Sequence, residues 1–319
     1  MELRSLAPVL LIVAPLAAGY LARRFGWAPE RLAQRMMTAV MVIGYPAGGF
    51  FSIWGMELHA ADAWLPALGA LHVALMAAVG LAIGRCVTSD RGEVGLIGIG
   101  SALGNTGFTL GGLVLYLLYG KEGLALMSIY CLMWMPLTVV LTYPIARHYA
   151  SDRPNRSLGR LILRSIFDWR SIGLPVSLAA IWLSARGIQP PKAVATLRLV
   201  DIIIFVVTIA AFFSIGLRTH LDKVGELKKL IATVTAARFG LGLLVGWALA
   251  LATLLTPWAL TGISRNVFII ESFVPTAVTT VGVANMFDLK PREASVVFVA
   301  NTLIYLVAVL PFVLWAFGG

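Results

Sequence analysis

The stretch Val94–Tyr119, VGLIGIGSALGNTGFTLGGLVLYLLY, constrains the fold more than any other part of the chain. It has the length of a membrane span, yet it contains seven glycines and a polar break, Gly104-Asn105-Thr106-Gly107, near its centre. Backbone freed from helical hydrogen bonds persists in hydrocarbon only where protein or a water-filled cavity satisfies it. The break therefore predicts a binding site of the kind that secondary transporters place near the bilayer midplane. Glycines at four-residue spacing also fit close helix packing, which remains the alternative.

The composition places the chain in a membrane. Hydrophobic residues make up 59% and charged residues 13% of the 319 residues, with a mean hydropathy of +0.89, which a soluble core with a solvated surface does not have. Ten apolar stretches lie near the length of about 20 residues that a helical span needs. We therefore predict an all-α polytopic membrane protein with ten transmembrane helices, numbered here as spans 1 to 10. The spans are Leu6–Leu21, Met36–Trp54, Trp64–Ile83, Val94–Tyr119, Gly123–Ile145, Ile172–Leu183, Leu197–Leu217, Leu230–Leu255, Val267–Met286 and Ala294–Phe317.

The basic residues follow the predicted topology. Of the 25 Lys and Arg residues, 18 lie in the connections after spans 1, 3, 5, 7 and 9. By the positive-inside rule these connections are cytoplasmic and both termini are outside, as expected for a multi-pass protein of a bacterial cytoplasmic (inner) membrane. The net charge of +10 therefore reflects orientation and contact with membrane lipid, and we expect no nucleic-acid partner.

Two halves of the chain share a pattern of glycines and prolines in the same order. The pairs are Gly26 with Gly187, Pro29 with Pro190, and Gly55 with Gly216. We predict a first five-helix repeat at 1–146, a cytoplasmic basic connection at 147–170 and a second five-helix repeat at 171–319. An odd number of helices per repeat forces opposite orientations in the membrane, which is the inverted repeat of many secondary transporters.

Span 9 is the equivalent of span 4 in this scheme, and it has Pro275 near its middle. Proline lacks an N–H donor and clashes with the preceding helical turn, so the simplest interpretation is a kink repaired by neighbouring hydroxyl groups. Equivalence to the Gly104–Gly107 break favours a second break instead. We therefore predict crossing broken helices 4 and 9.

A pair of broken helices supplies groups for two kinds of ion. Where a helix restarts, free N–H groups and the positive end of the macrodipole favour a carboxylate, with Asn105 and Thr106 as additional donors. Where the preceding half ends, free carbonyl groups suit a cation such as Na⁺.

Ionisable residues inside the spans are functional candidates by default. Glu271, one turn before Pro275, is a candidate proton carrier, or it lies near the outer interface and is hydrated. Arg238 in span 8 either attracts an anion or, as we expect, extends toward the cytoplasm. His72 in span 3 is expected to be a packed core residue. Further candidates for lining the site are Asn301, Tyr130 and Ser128.

The sequence contains no pattern typical of an enzyme. Gly98–Gly104 resembles a glycine-rich dinucleotide turn only superficially, because no strand precedes it, and HExxH and GxSxG motifs are absent. The two cysteines, Cys86 and Cys131, fit neither a disulfide framework nor a metal pattern. We therefore expect no catalytic residues, no cofactor and no metal site. A channel or a membrane receptor remains the alternative to a transporter, because broken helices also line pores.

Three motifs resemble the auxin efflux carrier family of membrane transport proteins. They are GNTGF at Gly104–Phe108, VPTAVT at Val274–Thr279 and FSIGL at Phe213–Leu217. The family includes PIN-FORMED carriers of plants and bacterial malonate and malate carriers, and its fold is similar to that of bile acid sodium symporters. The resemblance covers essentially the whole chain. The chain departs from the family's pattern at Gly111-Gly112 and at Thr276, where members often have proline.

The resemblance implies a scaffold from helices 1, 2, 6 and 7 and a transport bundle from helices 3–5 and 8–10. It implies a secondary active transporter that moves a small organic anion, a mono- or dicarboxylate, by alternating access, either as a uniporter or coupled to H⁺ or Na⁺. A homodimer is left open. The expected substrate-binding residues are Gly104, Asn105, Thr106, Gly107, Pro275, Thr276 and Thr279, and the coupling candidates are Glu271 and Ser272.

Overall fold

The computed structural model describes residues 3–57, 59–150, 172–219 and 225–318. The predicted basic connection at 147–170 lies outside the described residues from residue 151 onward. Within the described ranges the secondary structure is helical and no strand is present, so the all-α class is confirmed. Main-chain pairing of the β type occurs there as one isolated antiparallel bridge, between Gly104 and Thr276.

The α-helices are numbered in chain order. They are α1 (Leu3–Arg24), α2 (Glu30–Ala39), α3 (Tyr45–Ile53), α4 (Trp64–Val87), α5 (Arg91–Ala102), α6 (Gly111–Tyr130), α7 (Trp134–Leu137), α8 (Tyr143–Tyr149), α9 (Gly173–Ala185), α10 (Lys192–Thr196), α11 (Leu199–Leu217), α12 (Lys228–Thr235), α13 (Gly242–Ala252), α14 (Gly262–Ser272), α15 (Val278–Phe287), α16 (Pro291–Ile304) and α17 (Leu310–Phe317).

Six helical segments of the described chain are long and apolar enough to cross a membrane, which indicates a membrane-embedded protein. They are Arg31–Ile53, Ala60–Val87, Gly111–Tyr149, Leu199–Leu217, Lys228–Leu255 and Pro291–Phe317. Two shorter apolar helices are Gly173–Ala185 and Val278–Phe287. The longest segment, Gly111–Tyr149, is interrupted at Gly120, whose φ of 60° and ψ of −142° are not helical. Gly120 lies between the predicted end of span 4 at Tyr119 and the predicted start of span 5 at Gly123.

The chain divides into two compact units. The first holds the described residues of Met1–His59, Gly107–Ile129 and Trp169–Thr219, and the second holds those of Ala60–Thr106, Tyr130–Asp168 and His220–Gly319. Along the chain, one boundary falls between Thr106 and Gly107, inside the glycine-rich break.

In the first unit, α1 and α11 pack backbone against backbone. A Cβ added at Gly19 would lie 2.1 Å from the Phe213 carbonyl oxygen, and one at Gly216 would lie 2.1 Å from the Leu16 carbonyl oxygen. Only glycine fits at both points of contact, which is the small-residue packing typical of helices in membranes.

The ends of α1 and α9 have the same cap. Gly26 and Gly187 have φ values of 71° and 68°, and each donates its N–H to a carbonyl three residues earlier. The next residue, Trp27 or Ile188, donates to a carbonyl five residues earlier in each case, completing a Schellman motif. The second predicted glycine pair does not match, because Gly55 has a φ of 85° while Gly216 lies inside α11.

Four π-helical turns interrupt the helices of the described ranges, and proline explains three of them. Those at Val40–Gly44, Thr138–Thr142 and Tyr305–Val309 each precede a helix with proline in its first turn. Proline has no N–H, so the preceding turn loses an ordinary helical hydrogen bond and widens. The fourth turn, Ala236–Leu241, lies between α12 and α13 and contains Arg238.

In the second unit, the start of α5 is fixed at residue 90. The Asp90 Oδ1 atom accepts a hydrogen bond from the Glu93 amide at 3.0 Å, and Asp90 Oδ2 accepts one from Lys290 Nζ at 2.6 Å. The hydrogen bond from Lys290 lowers the pKa of the Asp90 carboxyl group below its ordinary value. The pair joins the N-terminus of α5, which leads to the glycine-rich break, to the residue that precedes α16.

Candidate functional site

The structure breaks span 4 where the sequence predicts it. Helix α5 ends at Ala102, Leu103 is extended with φ −85° and ψ 108°, and the helix does not resume until Gly111. Gly107 has a φ of 100°, a conformation that favours glycine. The glycine-rich sequence therefore ends a helix here, in addition to any role that its glycines have in helix packing.

Span 9 is broken as well. Helix α14 ends at Ser272 and α15 begins at Val278, with Pro275 between them. The residues from Phe273 to Ala277 are all buried. Proline here separates two helices, so the simpler interpretation as a kink in one continuous helix is wrong.

The two breaks pair with each other through the main chain. The Asn105 amide donates to the Pro275 carbonyl at 2.6 Å, and the Ala277 amide donates to the Leu103 carbonyl at 2.9 Å. These two hydrogen bonds flank the bridge between Gly104 and Thr276. We call this structure, residues 103–105 with 275–277, the break pair; all of it lies in the second unit.

The carbonyl groups at the end of α5 are satisfied one by one. An α-helix leaves its last four carbonyls without partners inside the helix. Here Gly100 accepts from the Thr276 hydroxyl at 3.1 Å, and Leu103 accepts from the Ala277 amide. Ser101 and Ala102 accept from Arg238 Nη1, at 3.0 and 3.5 Å. The end of α5 thus depends on residues of span 9 and on one arginine.

Arg238 lies beside the break pair, which corrects the expectation that it extends toward the cytoplasm. It is 1% exposed, and its Nε and Nη2 atoms both donate to the Val274 carbonyl, at 3.0 and 2.7 Å. The guanidinium group therefore joins the carbonyls of both breaks. A Cβ at Gly104 would lie 2.5 Å from Arg238 Nη2, so glycine at this position makes room for the arginine. An arginine inside an apolar helix was the sequence signal for this role.

Asn301 of α16 holds the other side of the break pair. Its Oδ1 accepts the Thr276 amide at 2.7 Å, and its Nδ2 donates to the Thr235 hydroxyl at 3.1 Å. Asn301 thus accepts from an amide that the break removes from helical bonding, and its predicted role in lining the site stays a prediction.

Glu271 lies in the last turn of α14, one turn before Pro275, and is 1% exposed, so the alternative of a hydrated interfacial residue is wrong. Neither of its carboxyl oxygens has a hydrogen-bond partner among the described residues. It lines a cavity of about 10 Å³, room for about one water molecule. Other polar residues around this cavity are His72, Thr106, Tyr130 and Arg238.

His72 is buried and packed, as its sequence context predicts. Its Nε2 atom lies 3.1 Å from the Gly242 carbonyl oxygen, and its ring meets Phe268 edge-on. The cavity therefore combines a cation, a carboxyl group and neutral polar groups within an apolar surround.

The remaining candidates fall into two groups. In the second unit, Thr106 is buried and lines the cavity, Ser272 donates to the Ile269 carbonyl at 2.6 Å, and Thr279 is half-buried on α15. The Asn105 side chain is 4% exposed. Gly107 and Ser128 belong to the first unit, where the Ser128 hydroxyl donates to the Leu124 carbonyl at 2.8 Å.

No family model matches the chain, and no curated protein matches it. The resemblance to the auxin efflux carrier family therefore depends on the quoted motifs alone.

The role of Asn301 leads to a prediction about stability. Asn301→Ala leaves the buried Thr276 amide without its acceptor, so we expect a loss of about 1–3 kcal/mol in the free energy of unfolding. Thermal or denaturant unfolding of the purified protein in detergent measures it. The matched control is Asn285→Ala, since Asn285 is exposed on α15 and bonds only within its own helix. Equal stabilities of the two variants would contradict the assigned role.

Proposed function

We propose that this protein is a secondary transporter of a small organic anion, built on the plan of the auxin efflux carrier family and working by alternating access. The proposal includes ten transmembrane helices in two inverted five-helix repeats, a bacterial inner-membrane location and both termini outside. The observation that carries it is the break pair, two interrupted apolar helices joined through their main chains beside a buried cation and a buried carboxyl group. Such discontinuous helices are the sites where secondary transporters bind substrates and ions.

Several local features support the repeat. Spans 1 and 6 end in the same glycine cap, spans 4 and 9 are both broken, and spans 5 and 10 both have a π-helical turn before a proline. These features occur in corresponding order in the two halves of the chain. They support a common plan for both halves even though one predicted glycine pair differs in conformation.

An anionic substrate fits the electrostatics of the second unit. Arg238 places a permanent positive charge beside the cavity, and the restart of the helix at Val278 directs the positive end of the α15 macrodipole toward the break pair. The cavity of about 10 Å³ is too small for a mono- or dicarboxylate. Substrate binding therefore requires it to widen, a property of a gated carrier and unlike that of an open pore.

Glu271 is the coupling candidate, with a proton as the coupling ion. It interacts electrostatically with Arg238 from the π-helical turn after α12, with Tyr130 and Cys131 at the end of α6, and with Tyr305 after α16. His72 of α4 lines the same cavity. A carboxyl group with no hydrogen-bond donor among the described residues, on a small cavity that would open to water during transport, is suited to bind and release a proton.

Counterflow in proteoliposomes tests whether the protein is a carrier. We expect vesicles loaded with an excess of an unlabelled mono- or dicarboxylate to accumulate the labelled compound transiently, because a carrier exchanges one molecule for another. A thermal-shift panel of carboxylates identifies the compound to use. Simple dissipation of the gradient, without accumulation, would instead indicate a channel.

Asn105 tests the location of the substrate site. If its side chain donates to the substrate carboxylate, Asn105→Ala removes a hydrogen bond to a charged group, worth about 1.5–3 kcal/mol. We expect the affinity to fall by about tenfold to a hundredfold, measured by ligand-induced thermal shift. Asn285→Ala is again the control and should retain wild-type affinity. Unchanged affinity in folded Asn105→Ala would remove this residue from the substrate site.

Glu271 tests the coupling. Glu271→Gln is nearly isosteric and has no group that can take up or release a proton in this pH range, so we expect loss of uptake driven by a pH gradient with counterflow retained. Glu122→Gln, at an exposed position of α6, is the matched control. If pH-driven uptake persists in Glu271→Gln, a different residue or ion carries the coupling.

A further inference from the structure

Three carbonyl groups next to the break pair form an electronegative cluster inside the protein. Ser101 and Ala102 end α5, where the helix macrodipole is negative, and the Val274 carbonyl points to the same place from the other break. Carbonyl groups at the ends of interrupted membrane helices are typical ligands for a transported or coupling cation. A cation therefore suits this position.

The guanidinium group of Arg238 takes that position. Guanidinium has five N–H donors in a fixed plane, and four hydrogen bonds from Arg238 reach three carbonyl oxygens. The two bonds to Val274 are bidentate, at 3.0 and 2.7 Å. Arg238 thereby places its charge among these oxygens, and its planar fork suits them better than the point charge of lysine would.

The surrounding chain is shaped to admit this side chain. Gly104 lacks the Cβ that would clash with Nη2, and the π-helical turn at Ala236–Leu241 is not followed by a proline that would account for it. Wide turns of this kind are frequent at functional sites. The side chain is also among the largest that are fully buried in the described part of the protein.

We propose that Arg238 is a covalently attached substitute for a free cation at the break pair. The helix breaks then stay joined without bound Na⁺ or any other metal cation. The consequence for transport depends on the proposed function. If the protein is the carrier proposed above, sodium cannot act as the coupling ion at these carbonyls, and Glu271 remains as the residue that couples transport to a proton.

The experiment is a thermal-shift measurement that needs no substrate, so its result is independent of the transport proposal. Wild-type protein should have the same melting temperature in NaCl, KCl and choline chloride at equal ionic strength. Arg238→Ala should melt at a lower temperature, and low-millimolar guanidinium should restore about half or more of the loss, because a ligand that binds only the folded state stabilises it. Urea, which has nearly the same shape without the charge, should restore nothing.

Two further variants complete the design. Arg265→Ala, at an exposed position of α14, is the matched control and should respond neither to guanidinium nor to Na⁺. Arg238→Lys keeps the charge and replaces the alanine variant in the experiment if that variant does not fold. Its melting temperature should be lower than that of the wild type and should not change with Na⁺. Specific stabilisation of the wild type by Na⁺ would overturn the proposal. So would a folded Arg238→Ala that guanidinium and urea affect equally.

Discussion

Backbone hydrogen bonding at the break pair is the constraint on which the rest of the second unit depends. Two helices stop inside an apolar environment, and each freed amide or carbonyl there would cost several kcal/mol if it had no partner. The structure meets this cost by joining the breaks to each other at Gly104 and Thr276 and by adding Arg238 and Asn301 at either side. The two breaks therefore form a single structural feature, although residues 103–105 and 275–277 are far apart in the sequence.

The same arrangement explains why the chemistry of the unit is concentrated there. Arg238 donates to the carbonyl groups at both breaks, and its buried charge lies on the adjoining cavity, which Glu271 also lines. Glu271 lies on that cavity without a hydrogen-bond partner among the described residues, a costly position for a carboxyl group that serves structure alone. A buried fixed cation beside a carboxyl group of variable charge is the arrangement from which we infer a proton-coupled carrier of organic anions.

The sequence predicted the class of the fold and the positions of the breaks because both follow from local chemistry. Ten apolar stretches and alternating basic connections indicate a membrane protein, and Gly104–Gly107 and Pro275 cannot continue a helix without cost. The partners of the breaks could not be predicted in the same way, since they depend on which distant side chains reach them. Arg238 was expected to extend toward the cytoplasm because a long basic side chain usually reaches water from within a span. Only the tertiary structure shows that carbonyl groups surround it.

The central claim is that Arg238 and Asn301 stabilise one joined structure rather than two separate helix ends. A double-mutant cycle measures this directly, from the free energies of unfolding of the wild type, Arg238→Ala, Asn301→Ala and the double variant. We expect the double variant to lose less than the sum of the single losses, by about 0.5 kcal/mol or more, because the first substitution already weakens what the second side chain supports. Strictly additive losses would show that the two side chains act on independent structures and would contradict the account.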